Sequence, residues 1–126
     1  VKWLDNSLIV GWVQYVLCLS QADYVKELKR LNVESPTSFL IEGKPATTHF
    51  FHLKDDKHTS CAIVCLGDMA GRTPIDIAAL LVHEAVHIWQ QEVDMMGEEA
   101  PGWEIEAYAI QRISTNLMRA YAEMTS

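Results

Sequence analysis

The stretch between Thr73-Pro74 and Gly97 constrains the chain more than any other. Threonine is a favoured N-cap, proline a favoured first helical residue, and glycine supplies the left-handed backbone that closes a helix. Asp76 adds a favourable negative charge to the first turn. From Ile75 to Trp89 the sequence is apolar nearly all round, and it turns polar only at Gln90, Gln91 and Glu92. This pattern predicts a central helix over about 74–96, buried on most sides. Inside it stands His83-Glu84-Ala85-Val86-His87, an H-E-x-x-H sequence with uncharged flanks in Leu81, Val82 and Ile88. Positions i and i+4 share one helix face, so the two imidazoles can aim at a single metal ion. Glu84 beside them can take a proton from a water at that ion. Read without a metal, the same stretch is a buried helix whose histidines bond to other protein groups. Buried imidazoles need polar company, and a metal supplies it.

A chain of 126 residues makes one domain, 1–126, with a modest core. Its formal charge of −7 and the lack of a basic patch argue against binding nucleic acid. The three cysteines, Cys18, Cys61 and Cys65, form neither a disulfide framework nor a C-x-x-C pair. They read as reduced thiols of a cytoplasmic protein. The apolar run Leu8 to Leu19 follows Lys2 as a signal-peptide core would. Trp12, Gln14 and Tyr15 interrupt it, no A-x-A-like site follows, and it is too short to span a bilayer. No membrane association is expected.

Trp12 to Leu19, rich in β-branched and aromatic residues, reads as a strand or extended segment. Ser20 and Asp23 form the start of a helix whose apolar stripe is Tyr24, Leu28 and Leu31. Asn32 ends it, and Pro36 marks a loop. Ala46–Leu53 and Ser60–Leu66 read as two strands joined through the polar Lys54-Asp55-Asp56-Lys57-His58, an antiparallel hairpin over about 46–66. Cys61 to Leu66 is apolar on both faces and belongs inside a sheet or under a helix. His49 and His52 point to opposite faces of the first strand and cannot share a site. Trp103 to Met124 is a last helix, with Ala107, Ile110, Ile113 or Ser114, Leu117, Tyr121 and Met124 at helical spacing. The fold class is therefore α+β: a small antiparallel sheet on a central helix (74–96) and a C-terminal helix (103–124).

Catalytic zinc usually takes three protein ligands, so two histidines are one short. The metzincin pattern would need Gly and His where Gln90 and Val93 stand. The remaining candidates are acidic: Glu92, Asp94, Glu98, Glu99, Glu104 and Glu106. The segment Gly102-Trp103-Glu104-Ile105-Glu106-Ala107-Tyr108 resembles the E-x-x-A-[DN] helix of gluzincin zinc metallopeptidases. The compact layout also resembles small phage- and prophage-encoded metallopeptidases. The resemblance implies a minimal zincin-like fold, a bound Zn2+ and Glu104 as third ligand beside His83 and His87. Tyr108 stands where the family has Asp or Asn, which leaves open what supports the histidines. Helical periodicity favours Glu106 instead, because it falls on the flank of Ile110, Ile113 and Leu117. The two carboxylates lie about 200° apart around the helix, so normally one ligates. Glu104 is the choice that follows the resemblance.

The expected activity is hydrolysis of a peptide or protein substrate by a metal-activated water, with Glu84 as general base. Tyr108 is the nearest candidate for an oxyanion donor. Cys61 to Leu66 is a candidate edge for an extended substrate. The acidic stretch from Glu92 to Glu106 reads as a solvated loop, or else as a preference for basic substrates. The rival reading is a catalytically silent, zinc-stabilised binding protein, an accessory of a phage or prophage. A purely structural site has no use for a general base, so Glu84 favours the enzyme. A third reading is another metal-assisted hydrolase.

Overall fold

Cys61 to Leu66, apolar on both faces, forms the middle of the sheet. The computed structural model describes residues 3–4, 13–33, 38–53, 56–97 and 102–126, and side chains within these except at 53 and 56–59. The elements in chain order are β1 (Val13–Cys18), α1 (Gln21–Arg30), β2 (Ala46–Leu53), β3 (Asp56–Leu66), α2 (Pro74–Met96) and α3 (Trp103–Met124). The class is α+β, as expected. Strand order is β1-β3-β2. The β2–β3 pair is the antiparallel hairpin that the sequence suggests.

The sheet as a whole is mixed, not antiparallel, because β1 pairs with β3 in parallel, Val13 opposite Ser60 through Cys18 opposite Cys65. A parallel pair needs a long crossover, and the stretch containing α1 supplies one. A second correction follows from the strand order. With neighbours on both sides, β3 has no free edge to offer a substrate, and the edge strand beside His83 and His87 is β2.

Strand alternation sends side chains into two cores. Val13, Tyr15, Leu17, Ala62, Val64 and Leu66 pack with Leu81, Ala85, Ile88 and Trp89 of α2 and Ala109, Ile113 and Leu117 of α3. Val16, Cys18, Ile63 and Cys65 pack on the other side with Tyr24 and Leu28 of α1. The three cysteines are free and buried. Burial, with Glu27 and Asp23 adding to it, pushes the Cys18 thiol up to about 12, and burial raises Cys65 further. These thiols are packing groups.

The helix ends follow the sequence. Ser20 Oγ accepts from the Asp23 N–H at 3.2 Å, and Thr73 Oγ1 from the Asp76 N–H at 3.1 Å. Gly97 closes α2 at φ 74°, which glycine adopts without a Cβ clash. Glu92, at the far end of α2, accepts the Val13 N–H at 3.0 Å through Oε1 and so ties the helix to the start of β1. Asp56 to His58 join β3 and not the turn. The loop expected at Pro36, the Lys54-Asp55 turn, the segment Leu8 to Trp12 and residues 98–101 lie outside the described residues. No helix among the described residues is long and apolar enough to cross a membrane.

Candidate metal centre and cleft

The α2 helix is less enclosed than its composition suggests. Ile77, Leu81, Glu84, Ala85, Ile88, Trp89 and Glu92 are buried. Ile75, Val82, His83, His87 and Gln90 are exposed. The sheet and α3 cover one side only, so apolar residues such as Ile75 remain in water at 80% exposure. The imidazoles therefore face an open cleft, and the buried polar group of the motif is Glu84, at 3% exposure.

His83 and His87 approach each other through their Nε2 atoms, 3.2 Å apart, with the rings crossed at 80°. Two nitrogens bound tetrahedrally to one zinc, at roughly 2.0–2.1 Å each, would stand about 3.3 Å apart. The spacing thus fits a shared ion. His87 is oriented by Gln90, whose Oε1 accepts from Nδ1–H at 3.0 Å. That bond fixes the tautomer and leaves the Nε2 lone pair facing His83. The ligand-capable atoms of His83, Glu84 and His87 all lie within 4.8 Å of one another.

Glu84 Oε2 is buried without a hydrogen-bond partner, and so is Thr48 Oγ1 on β2. Burial pushes the Glu84 carboxyl above its ordinary value. His87, His83, the Thr48 hydroxyl and His49 pull the other way and do not offset it. A buried acid with an idle oxygen costs stability. Glu92 Oε2, near the far end of α2, is in the same state, but of the two only Glu84 stands beside the imidazoles.

Two adjoining cavities open over the motif, and both are bounded by Lys44, Ala46, His83 and Glu84. One, of about 400 Å³, extends along α2 towards its start and is also lined by Arg72 and Asp76. The other, of about 260 Å³, extends along β2 past Thr48 to Phe50 and Ile41. Together they make a cleft between the His83–His87 face of α2 and the edge strand β2.

The other sequence candidates lie elsewhere. Glu104 is exposed on the first turn of α3 and is not part of the three-residue group. Glu106 is engaged, with its Oε2 accepting the Trp89 indole N–H at 3.1 Å. Glu106 is nevertheless exposed, so the core-side position that helical periodicity suggests for it is not realised. Tyr108 is 58% exposed and lines neither cavity. His49 stacks on Tyr24 at 5.0 Å and bonds to the Phe39 carbonyl, away from the cleft. The sequence reading missed Gln90 and Thr48. Gln90 was reachable, since position i+3 from His87 is a neighbour on the helix surface. Thr48 was not, because nothing local says which face of β2 meets α2. Comparison of the chain with protein-family models, with curated proteins and with solved structures gives no match.

Proposed function

We propose that this chain is a zinc-dependent metallopeptidase with a minimal zincin-like fold, in which His83 and His87 hold Zn2+, Glu84 is the general base, and Glu104, which stands outside the His83–Glu84–His87 group here, is the third ligand that the gluzincin resemblance supplies. The observation that carries the reading is the 3.2 Å convergence of two imidazole nitrogens beside a buried carboxylate with an idle oxygen. Two imidazoles suit zinc far better than magnesium or calcium, which prefer all-oxygen sites. Zinc, when bound, makes water acidic and polarises a carbonyl.

The protein's own groups divide the remaining work. Glu84 Oε2 takes the proton of the attacking water and hands it to the leaving amine. Gln90 keeps the His87 lone pair turned inward. The β2 edge beside the cleft offers its peptide groups to an extended substrate. Glu104 has no hydrogen bond or ion pair among the described residues, whereas Glu106 is held by Trp89. That difference supports Glu104 as the carboxylate free to complete the site.

Purified protein is expected to carry close to one equivalent of zinc and to cleave members of a peptide library. Glu104→Gln is expected to lose zinc and Glu106→Gln to retain it, read by metal analysis after dialysis. The reverse result would move the third ligand to Glu106. Zinc without any cleavage would favour the silent binding protein, and absence of bound zinc would end both readings. Gln90→Leu is expected to weaken zinc binding about 10- to 100-fold, measured by chelator competition. An unchanged affinity would remove Gln90 from the site.

A further inference from the structure

The cleft differs at its two ends. Towards Phe50 and Ile41 the wall is apolar or neutral, with Thr47 and Thr48 between. Towards the start of α2 it is lined by Arg72, and Lys44 stands between the two ends. The chain has 17 acidic against 10 basic residues, so a cation here has many carboxylates to choose from. Asp76 and Glu84 even line the same cavity. Yet neither Lys44 nor Arg72 forms an ion pair among the described residues.

Both cations sit on fixed backbone. The Lys44 N–H bonds to the Ile41 carbonyl at 2.9 Å, two residues before β2 begins. The Arg72 N–H bonds to the Met69 carbonyl at 3.0 Å, one residue before the Thr73 cap. Both side chains are exposed and line one cavity, and a guanidinium with an ammonium is a donor set that suits a carboxylate. The positive end of the α2 dipole acts in the same sense.

We infer that Lys44 and Arg72 form a carboxylate-binding subsite, which selects peptides carrying a terminal carboxyl or an Asp or Glu side chain on the Arg72 side of the bond attacked. The neutral end at Phe50 then takes the uncharged part of the same peptide, so the cleft sets the direction in which a substrate lies. This is opposite to the preference for basic substrates that the acidic stretch from Glu92 to Glu106 suggests. The link to an attacked bond rests on the metallopeptidase reading, but the binding preference does not.

The test is calorimetric binding to the full-length Glu84→Gln protein with zinc added. Three probes are compared: acetyl-Leu-Ala-Ala-Ala with a free carboxyl, its C-terminal amide, and the amide with Glu as last residue. At least one acid is expected to bind about tenfold or more tightly than the neutral amide. Which acid wins tells the terminal carboxyl from the side chain. Lys44→Met with Arg72→Met is expected to abolish the difference while leaving zinc content and the unfolding midpoint in place. Equal binding of acid and amide, a preference that survives the double substitution, or no binding of any probe would each overturn the subsite. Zinc content and cleavage by the unsubstituted protein are measured separately. Turnover without acid preference removes the subsite alone, and acid preference without zinc or turnover removes the peptidase alone.

Discussion

Glu84→Gln is expected to abolish peptide hydrolysis while zinc stays bound, and to make the metal-free protein more stable at neutral pH. The first effect follows from the role of Oε2. An amide cannot take a proton from water, and a positioned general base contributes about 10²- to 10⁴-fold to rate. Since Gln is isosteric and His83 and His87 keep their mutual contact, zinc is retained. The second effect follows from burial. Glu84 is 3% exposed with one oxygen unpartnered, and burial raises its folded pKa above the ordinary carboxylate value that it has when unfolded.

A raised carboxyl pKa means that the folded state prefers the protonated acid. Its favourable contribution is complete below the ordinary carboxylate range and is lost as pH rises through the raised value. Gln never pays this charge penalty. The metal-free variant should therefore exceed the metal-free parent by about 1–3 kcal/mol at neutral pH, with the gap closing in acid. Urea unfolding in chelator at several pH values measures it. Retained hydrolysis would sink the mechanism, and parallel pH profiles would sink the account of the buried acid.

Groups that act within one helix were legible in the sequence, and groups that meet across the fold were not. Thr73, Pro74 and Gly97 delimit α2 because caps and left-handed glycines are local devices. His83, Glu84 and His87 come together because His87 is i+4 from His83 and i+3 from Glu84, the spacings that meet on any α-helix. The sense in which β1 joins the sheet was hidden, since strand composition does not report whether a neighbour is parallel. The exposure of the imidazoles was misjudged for a related reason. A helix that is apolar nearly all round suggests full enclosure, but one sheet and one neighbouring helix cover a single side of it. The choice between Glu104 and Glu106 depended on what α3 meets. The Trp89 indole answers that for Glu106, across 17 residues of chain. Lys44 and Arg72 carried no signal at all, because only the fold brings the start of β2 next to the start of α2.

Glu92→Leu is expected to destabilise the protein by about 2–4 kcal/mol, while Glu92→Gln costs much less. Glu92 lies on the same buried side of α2 as Glu84 and is 1% exposed. Like Glu84 it leaves Oε2 without a hydrogen-bond partner, but its Oε1 is occupied by the Val13 N–H, 79 residues away in sequence. Leucine has a similar volume and is a good helix former, so neither packing nor propensity accounts for the expected loss. What disappears is the acceptor for a backbone N–H at the start of β1. Glutamine keeps a carbonyl oxygen in that place, so the bond to the Val13 N–H can still form. For a domain with about 5–15 kcal/mol in total, the leucine variant should show a clear drop in urea midpoint at unchanged m-value. A leucine variant as stable as the parent would mean that this bond does not hold α2 to the sheet. The two buried acids then make a paired experiment: removing charge at Glu84, whose Oε2 has no partner inside the fold, should stabilise the metal-free chain. Removing the acceptor at Glu92 should weaken it, and that difference in sign separates an acid kept for chemistry from one kept for structure.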